Sequence, residues 1–230
     1  MATSAPPTAP AQRRNDGGLR TLVIDAVTEA CSVALFSGGE LIAGDLRILG
    51  RGHAEALVPM IAALPGRGHA ARIAVSLGPG SFTGVRVGLA AARALALAWS
   101  AEIVGYPSLA LVAAMARQAR GPVPLGVVMA GGHGEWFVES FDQAGRSTRP
   151  LESLRPEAAT ARLDEEFVAG SQAEALVAAR GWGQAITALP DARAFGLLPP
   201  ASLLPADRPL YGRAPDARLP APAAAAIAGA

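Results

Sequence analysis

Ala74-Val75-Ser76-Leu77-Gly78-Pro79-Gly80-Ser81-Phe82-Thr83-Gly84-Val85-Arg86 changes its period halfway along. Residues 72–77 form a short apolar run bounded by glycine and proline, which reads as a buried strand. Gly78-Pro79-Gly80 is a backbone bend, and Ser81 stands where a helix N-cap is expected. From Ser81 the apolar positions predict one long helix reaching about Ser100. A strand that enters a helix through a glycine turn is half of an α/β unit.

Upstream, Thr21-Leu22-Val23-Ile24 ends at Asp25, residues 31–36 form a second β-type run, and Gly38-Gly39 turns the chain into a third over residues 40–49. These read as an antiparallel meander. Ala56, Leu57, Met60, Ile61 and Leu64 recur at helical spacing, which predicts a helix over residues 53–64 ended by Pro65-Gly66. Downstream come a strand at 102–105, a helix from Pro107-Ser108 to about Arg117, and strands at 124–130 and 135–141 around Gly131-Gly132. A last helix is expected over 173–180, after which the chain is Pro-rich and aperiodic. A meander feeding α/β units predicts an α/β protein of the two-lobed actin-like ATPase (ribonuclease-H-like) class. The expected division is a disordered leader over residues 1–18, a first lobe over 19–104, a second over 105–219 and a disordered tail over 220–230.

The 230 residues are 51% hydrophobic and 17% charged, enough to bury a core. A formal net charge of +1 gives no broad electrostatic footprint for nucleic acid, so RNA contact is expected only through a complex. Residues 1–18 lack the apolar core of a secretory signal, and residues 87–99, interrupted by Arg93, fall short of a membrane span. A cytoplasmic protein without membrane attachment is expected. Cys31, the one cysteine, excludes an internal disulfide and reads as a small buried hydrophobe.

Two clusters are candidates for phosphate. Gly78, Gly80 and Ser81 at a helix start offer backbone amides and a hydroxyl to an anion, or simply form a tight capped turn; composition leaves both open. Asp25 with Thr28 stands where actin-like ATPases place a phosphate-and-magnesium loop, but Ala26 and Val27 supply neither hydroxyl nor glycine between them. A strand-end Asp capping a turn is the alternative. His53, His69 and His133 have no second histidine at helical spacing, so no metal is assigned. No catalytic residue is assigned.

Gly84, Gly88, Ala92 and Ala96 recur every fourth residue, with Ala91 and Leu95 beside them, and this small-residue stripe predicts a close helix crossing. Together with His53, Leu57, Met60 and Ile61 of the preceding helix it is the expected partner interface.

Residues 22–35, Gly52-His53-Ala54-Glu55-Ala56-Leu57-Val58-Pro59, residues 74–88, Gly105-Tyr106-Pro107-Ser108-Leu109 and Pro209-Leu210-Tyr211-Gly212-Arg213 together resemble the TsaB (YeaZ) family. That resemblance implies a two-lobed actin-like fold. It implies a non-catalytic partner that binds and activates the TsaD transferase, with the TsaE-type ATPase joining them, in threonylcarbamoyl modification of the adenosine next to the anticodon. The tRNAs concerned read codons beginning with A. TsaD holds its metal through a His-x-x-x-His pair; aligned on Gly105, those positions are Ser108 and Val112 here. The sequence departs from the family at Ala130-Gly131-Gly132, where Asp-Ala-Arg is common. No cofactor is assigned to the chain itself, and ATP or ADP would belong to the complex. The rivals are an ATP hydrolase or peptidase acting alone, and a homodimeric scaffold using the same helices.

Overall fold

Alternation along the first strand decides what lies on each face of the sheet. In β1 (Arg20–Asp25), Leu22 and Ile24 belong to one apolar cluster and Val23 to another, and all three are fully buried. A sheet apolar on both faces must be covered on both. The computed structural model describes residues 18–212. The expected tail over 220–230, and all of the expected leader except Gly18, lie outside the described residues.

The first sheet has the strand order β11-β5-β4-β1-β2-β3. β1, β2 (Ala30–Ser37) and β3 (Glu40–Ile48) form the antiparallel meander, while β4 (Arg72–Ser76) and β5 (Glu102–Tyr106) run parallel to β1. β11 (Leu204–Pro205) closes the far edge, antiparallel to β5. α1 (His53–Ala63) and α2 (Phe82–Trp99) cover one face. There Leu57, Met60, Ile61, Val85, Leu89 and Ala92 join Leu22, Ile24, Val33, Leu35, Ile73 and Val75 in one cluster. Each fully buried aliphatic side chain contributes about 1.5–3 kcal/mol. Ser81 caps α2 by accepting from the Gly84 amide, and Ser100, left-handed at φ 53°, ends it. α2 is long and apolar enough to cross a membrane by length and composition, yet it packs along β4 and buries one face there.

The second sheet has the order β10-β9-β6-β7-β8. Its strands are β6 (Leu125–Gly132), β7 (Glu135–Phe141), β8 (Ser147–Leu154), β9 (Phe167–Ala169) and β10 (Gln184–Ile186). α3 (Ser108–Arg120) is shared between the lobes. Its Leu109, Val112, Ala113 and Ala116 face the second sheet, and Leu111 joins Val23, Phe36 and Tyr106 beneath the first. α4 (Pro156–Arg162) and α5 (Ala173–Arg180) cover the outer face of the second sheet.

The expected boundary at residue 105 falls within β5. Gly105 and Tyr106 complete β5 of the first sheet, and the chain comes back to that sheet after β10. 3-10 turns at Ala192–Leu197 and Pro200–Ser202 carry Ala192 and Phe195 onto Phe36 and Tyr106. This Pro-rich stretch has no period of 2 or 3.6, but it supplies the apolar cover that the first sheet's second face requires.

Candidate functional site

Asp25 ends β1 with only 1% of its surface exposed. Its Oδ1 accepts from the Val27 amide at 3.3 Å, and its Oδ2 lies 3.1 Å from the Tyr106 hydroxyl, which is also 3.1 Å from the Ile24 carbonyl oxygen. The buried Ser76 hydroxyl lies nearby, outside ordinary hydrogen-bond geometry. Burial dominates, pushing the Asp25 carboxyl up to about 6 against the pull of the Val27, Tyr106 and Ser76 groups. Burial and the adjoining Asp25 carboxyl likewise push the Tyr106 phenol well above its usual range. Asp25 therefore caps the β1–β2 turn from inside. Thr28 serves the same turn: its Oγ1 accepts from the Ala30 amide at 3.2 Å, and its carbonyl accepts from His53 Nε2 at 2.8 Å. His53 thereby ties α1 to this turn, and the residue at the helix N-cap is Gly52, left-handed at φ 87°.

The two candidate phosphate clusters do converge, on each other. The Ser81 amide donates to the Val27 carbonyl at 2.6 Å. A Cβ at Gly80 would collide with that same carbonyl, and one at Gly84 with the carbonyl of Ala26. These glycines are thus required by backbone approaching backbone. Gly78, at φ 93° beside a cis Gly78–Pro79 bond, is covered by Leu210, whose carbonyl oxygen lies 3.1 Å from where a Cβ would stand. From the other side Ser108 donates through its amide to the Gly78 carbonyl (2.9 Å) and through Oγ to the Pro79 carbonyl (2.7 Å). Turn-to-turn and turn-to-helix bonds thus occupy the Ser81 and Gly84 amides and the Gly78 and Pro79 carbonyls.

Ser108 is 1% exposed and Val112 fully buried in the core under the second sheet, so neither side chain opens onto a cleft. Cys31 is buried as expected, and its thiol is raised to about 11, mainly by burial and next by the charge of Asp25. At Ala130-Gly131-Gly132 the chain makes the β6–β7 hairpin. Among the described residues no three His, Cys, Asp or Glu side chains cluster as a metal set. Tyr106, which holds the Asp25 carboxyl, escaped the sequence reading because nothing in its spacing links a strand-end tyrosine to a carboxylate 81 residues earlier.

The expected interface residues are mostly internal. Leu57, Met60, Ile61, Gly84, Gly88 and Ala92 are buried within the first lobe, and Ala91 and Leu95 pack partly against the same cluster. The small-residue stripe serves α2's own sheet: a Cβ at Gly88 would lie 3.6 Å from Val75 and 3.8 Å from Ala26 and Ile24. The opposite side of these two adjacent helices is largely exposed and carries Glu55, Arg86 and Arg93 as well as apolar residues. It presents Val58 (58% exposed), Phe82 (56%) and Leu97 (86%), with alanines at 54, 62, 90, 94 and 98 between them.

The two sheets and the packing of the Asp25 turn on the glycine turn define an actin-like protein of two lobes. Residues 47–161, half of the chain, match the sequence family described as TsaD: tRNA N6-adenosine threonylcarbamoyltransferase. Over 100 residues the chain is 36% identical to the tRNA threonylcarbamoyladenosine biosynthesis protein TsaB of Escherichia coli, covering 41% of this chain and 43% of that protein. The TsaB of Haemophilus influenzae matches at 36% over 100 residues, covering 41% and 42%. These alignments span less than half of either curated relative's length. YeaZ from Pseudomonas aeruginosa superposes with a TM-score of 0.70 at 26% identity, covering 84% of this chain and 99% of that one. The chain belongs to the TsaB (YeaZ) family of tRNA threonylcarbamoyladenosine biosynthesis proteins.

Proposed function

We propose that this chain is a non-catalytic subunit that docks on and activates a TsaD-type transferase during threonylcarbamoyl modification of tRNA in the cytoplasm. The observation that carries the proposal lies on the outer side of α1 and α2, where the apolar Val58, Phe82 and Leu97 stand more than half exposed. Large exposed apolar side chains on neighbouring helices mark a surface that a partner covers. The glycine and alanine stripe is spent inside the lobe, so the outer side is left for docking. The chemistry agrees with a scaffold. Asp25 is capped by its own turn, and Ser108 and Val112, where the resemblance puts the transferase's metal ligands, are a loop anchor and a core residue. A TsaE-type ATPase joins the pair, tRNA is reached through the complex, and any ATP or ADP belongs to the assembly.

Leu97→Glu places a charge where a partner must exclude water, and is expected to weaken binding to the TsaD-type subunit by about tenfold or more. Its own fold should change by less than about 0.5 kcal/mol, because Leu97 is a surface position. Titration calorimetry of the wild-type and variant chains against that subunit measures the difference. Equal affinity would remove the docking face. A homodimer on the same helices is the second reading, and sedimentation of the chain alone, with and without Leu97→Glu, distinguishes it.

A further inference from the structure

Arg93 is the one charge within residues 87–99, and an apolar docking helix does not require it. Its Nη2 donates to two successive carbonyls, Ala206 at 3.1 Å and Asp207 at 2.8 Å, just after β11 leaves the sheet edge. The chain then crosses the start of α2. The Leu210 amide donates to the Leu77 carbonyl at 2.8 Å, and the Leu210 carbonyl covers Gly78. The Tyr211 ring lies 5.8 Å from that of Phe82, tilted by 30°, and the Arg86 guanidinium sits 3.6 Å from the Phe82 ring centre. Gly212 approaches Phe137 of β7 so closely that a Cβ there would collide with the ring. Within nine residues the chain is fixed to β5, the middle of α2, the glycine turn, the first turn of α2 and the second sheet.

We propose that residues 204–212 are a strap that holds the Gly78–Ser81 turn and the first turn of α2 in place, and that its Tyr211 completes the docking face. The second part rests on the docking reading above. Hydrogen bonds from a guanidinium to two carbonyls are stronger than neutral ones, so Arg93 is the main clamp. Tyr211 (46% exposed) and Phe82 (56%), with Arg86 on the Phe82 ring, form a half-exposed aromatic–cation stack. Such a stack is rigid and amphipathic, and tyrosine and arginine are the residue types that anchor interfaces. The strap also accounts for residues that helix and strand periods leave unexplained: Arg93 inside an apolar helix, Leu210 on the turn, Tyr211 on Phe82 and Gly212 beneath Phe137.

The test uses the full chain in two arms. In hydrogen exchange, Arg93→Ala is expected to speed the Leu210 amide and the amides of residues 82–86 by about tenfold, leaving β6 and β7 unchanged. Unchanged protection at Leu210 would overturn the strap. In binding to the TsaD-type subunit, Tyr211→Ala is expected to weaken affinity by about tenfold, as Phe82→Ala should, with Leu97→Glu measured alongside. If Leu97→Glu weakens binding and Tyr211→Ala does not, the strap's part in docking fails while the docking reading stands. If none of the three changes binding, both fall, and the exchange arm still decides the strap as a structural element. A thermal midpoint for each variant identifies any that lose the fold; if Tyr211→Ala does, Tyr211→Leu, which keeps apolar bulk but removes the aromatic stack, replaces it, and unchanged affinity in that variant beside a weakened Leu97→Glu overturns the docking part.

Discussion

Replacing Asp25 by asparagine should make this protein more stable at neutral pH, whereas an active-site acid of an ATPase would show its loss in nucleotide chemistry. The native carboxyl is raised from 3.8 to about 6 because burial outweighs the Val27 and Tyr106 hydrogen bonds. Between those values the folded state binds more protons than the unfolded state, so stability falls as pH rises through that window and stays lower above it. That displacement corresponds to at most about 3 kcal/mol, since the interior relaxes around the charge. Asparagine keeps the shape: Oδ1 still accepts from Val27, and Nδ2 donates to the Tyr106 oxygen while that hydroxyl donates to Ile24. The expected gain at about pH 7.5 is therefore ~1–3 kcal/mol, vanishing near pH 4 where the wild-type acid is protonated. Urea unfolding of both chains across that range measures it. A variant less stable than wild type at pH 7.5, or a difference that does not change with pH, would refute the reasoning. Calorimetric titration of the wild-type chain with magnesium ATP should show no binding that depends on Asp25.

Two glycines on one helix should respond oppositely to alanine. Gly84→Ala drives a Cβ into the Ala26 carbonyl and should destabilise by more than ~2 kcal/mol, whereas Gly88→Ala meets only ordinary contacts and should gain up to ~1 kcal/mol of helix propensity; thermal midpoints decide both. Gly88→Leu should cost ~1–3 kcal/mol in the fold itself, so a weakened complex in that variant reports on the lobe and not on a docking clash. Cys31, buried with its thiol raised to about 11, should react with a thiol reagent at about pH 8 only as fast as the protein opens, and labelling rates with and without denaturant test this.

The first two strands of the meander were legible as short apolar runs between turn residues, because they are buried on both faces, the glycine turn by Gly78-Pro79-Gly80 itself, and α1, α2 and α3 by apolar residues recurring at 3.6. β8, α4, β9 and β10 were not. Residues such as Arg149, Glu152, Arg162 and Asp164 form ion pairs there and interrupt any apolar period. The return of residues 192–205 to the first sheet was hidden for a related reason, since this proline-rich backbone buries Ala192 and packs Phe195 on the core without an apolar period. For the site, the sequence pointed to the Asp25 and Gly78 turns and left open what they meet. Gly80, Ser81 and Gly84 meet the carbonyls of Val27 and Ala26, and a carbonyl leaves no mark in side-chain chemistry. The stripe at Gly84, Gly88 and Ala92 was expected to meet another helix, and it faces the lobe's own turn and sheet instead. Its direction was not legible, because two apolar sides of a helix look alike until the sheet is placed against one of them.

The measurement that bears most directly on the proposed role is threonylcarbamoyl transfer to tRNA, reconstituted from a TsaD-type transferase and a TsaE-type ATPase with and without this chain. Modification that requires the wild-type chain, is restored by Asp25→Asn and is not restored by Leu97→Glu is the expected result. Modification that proceeds equally well without the chain, or fails with Asp25→Asn while that variant remains folded and bound to its partner, would contradict it.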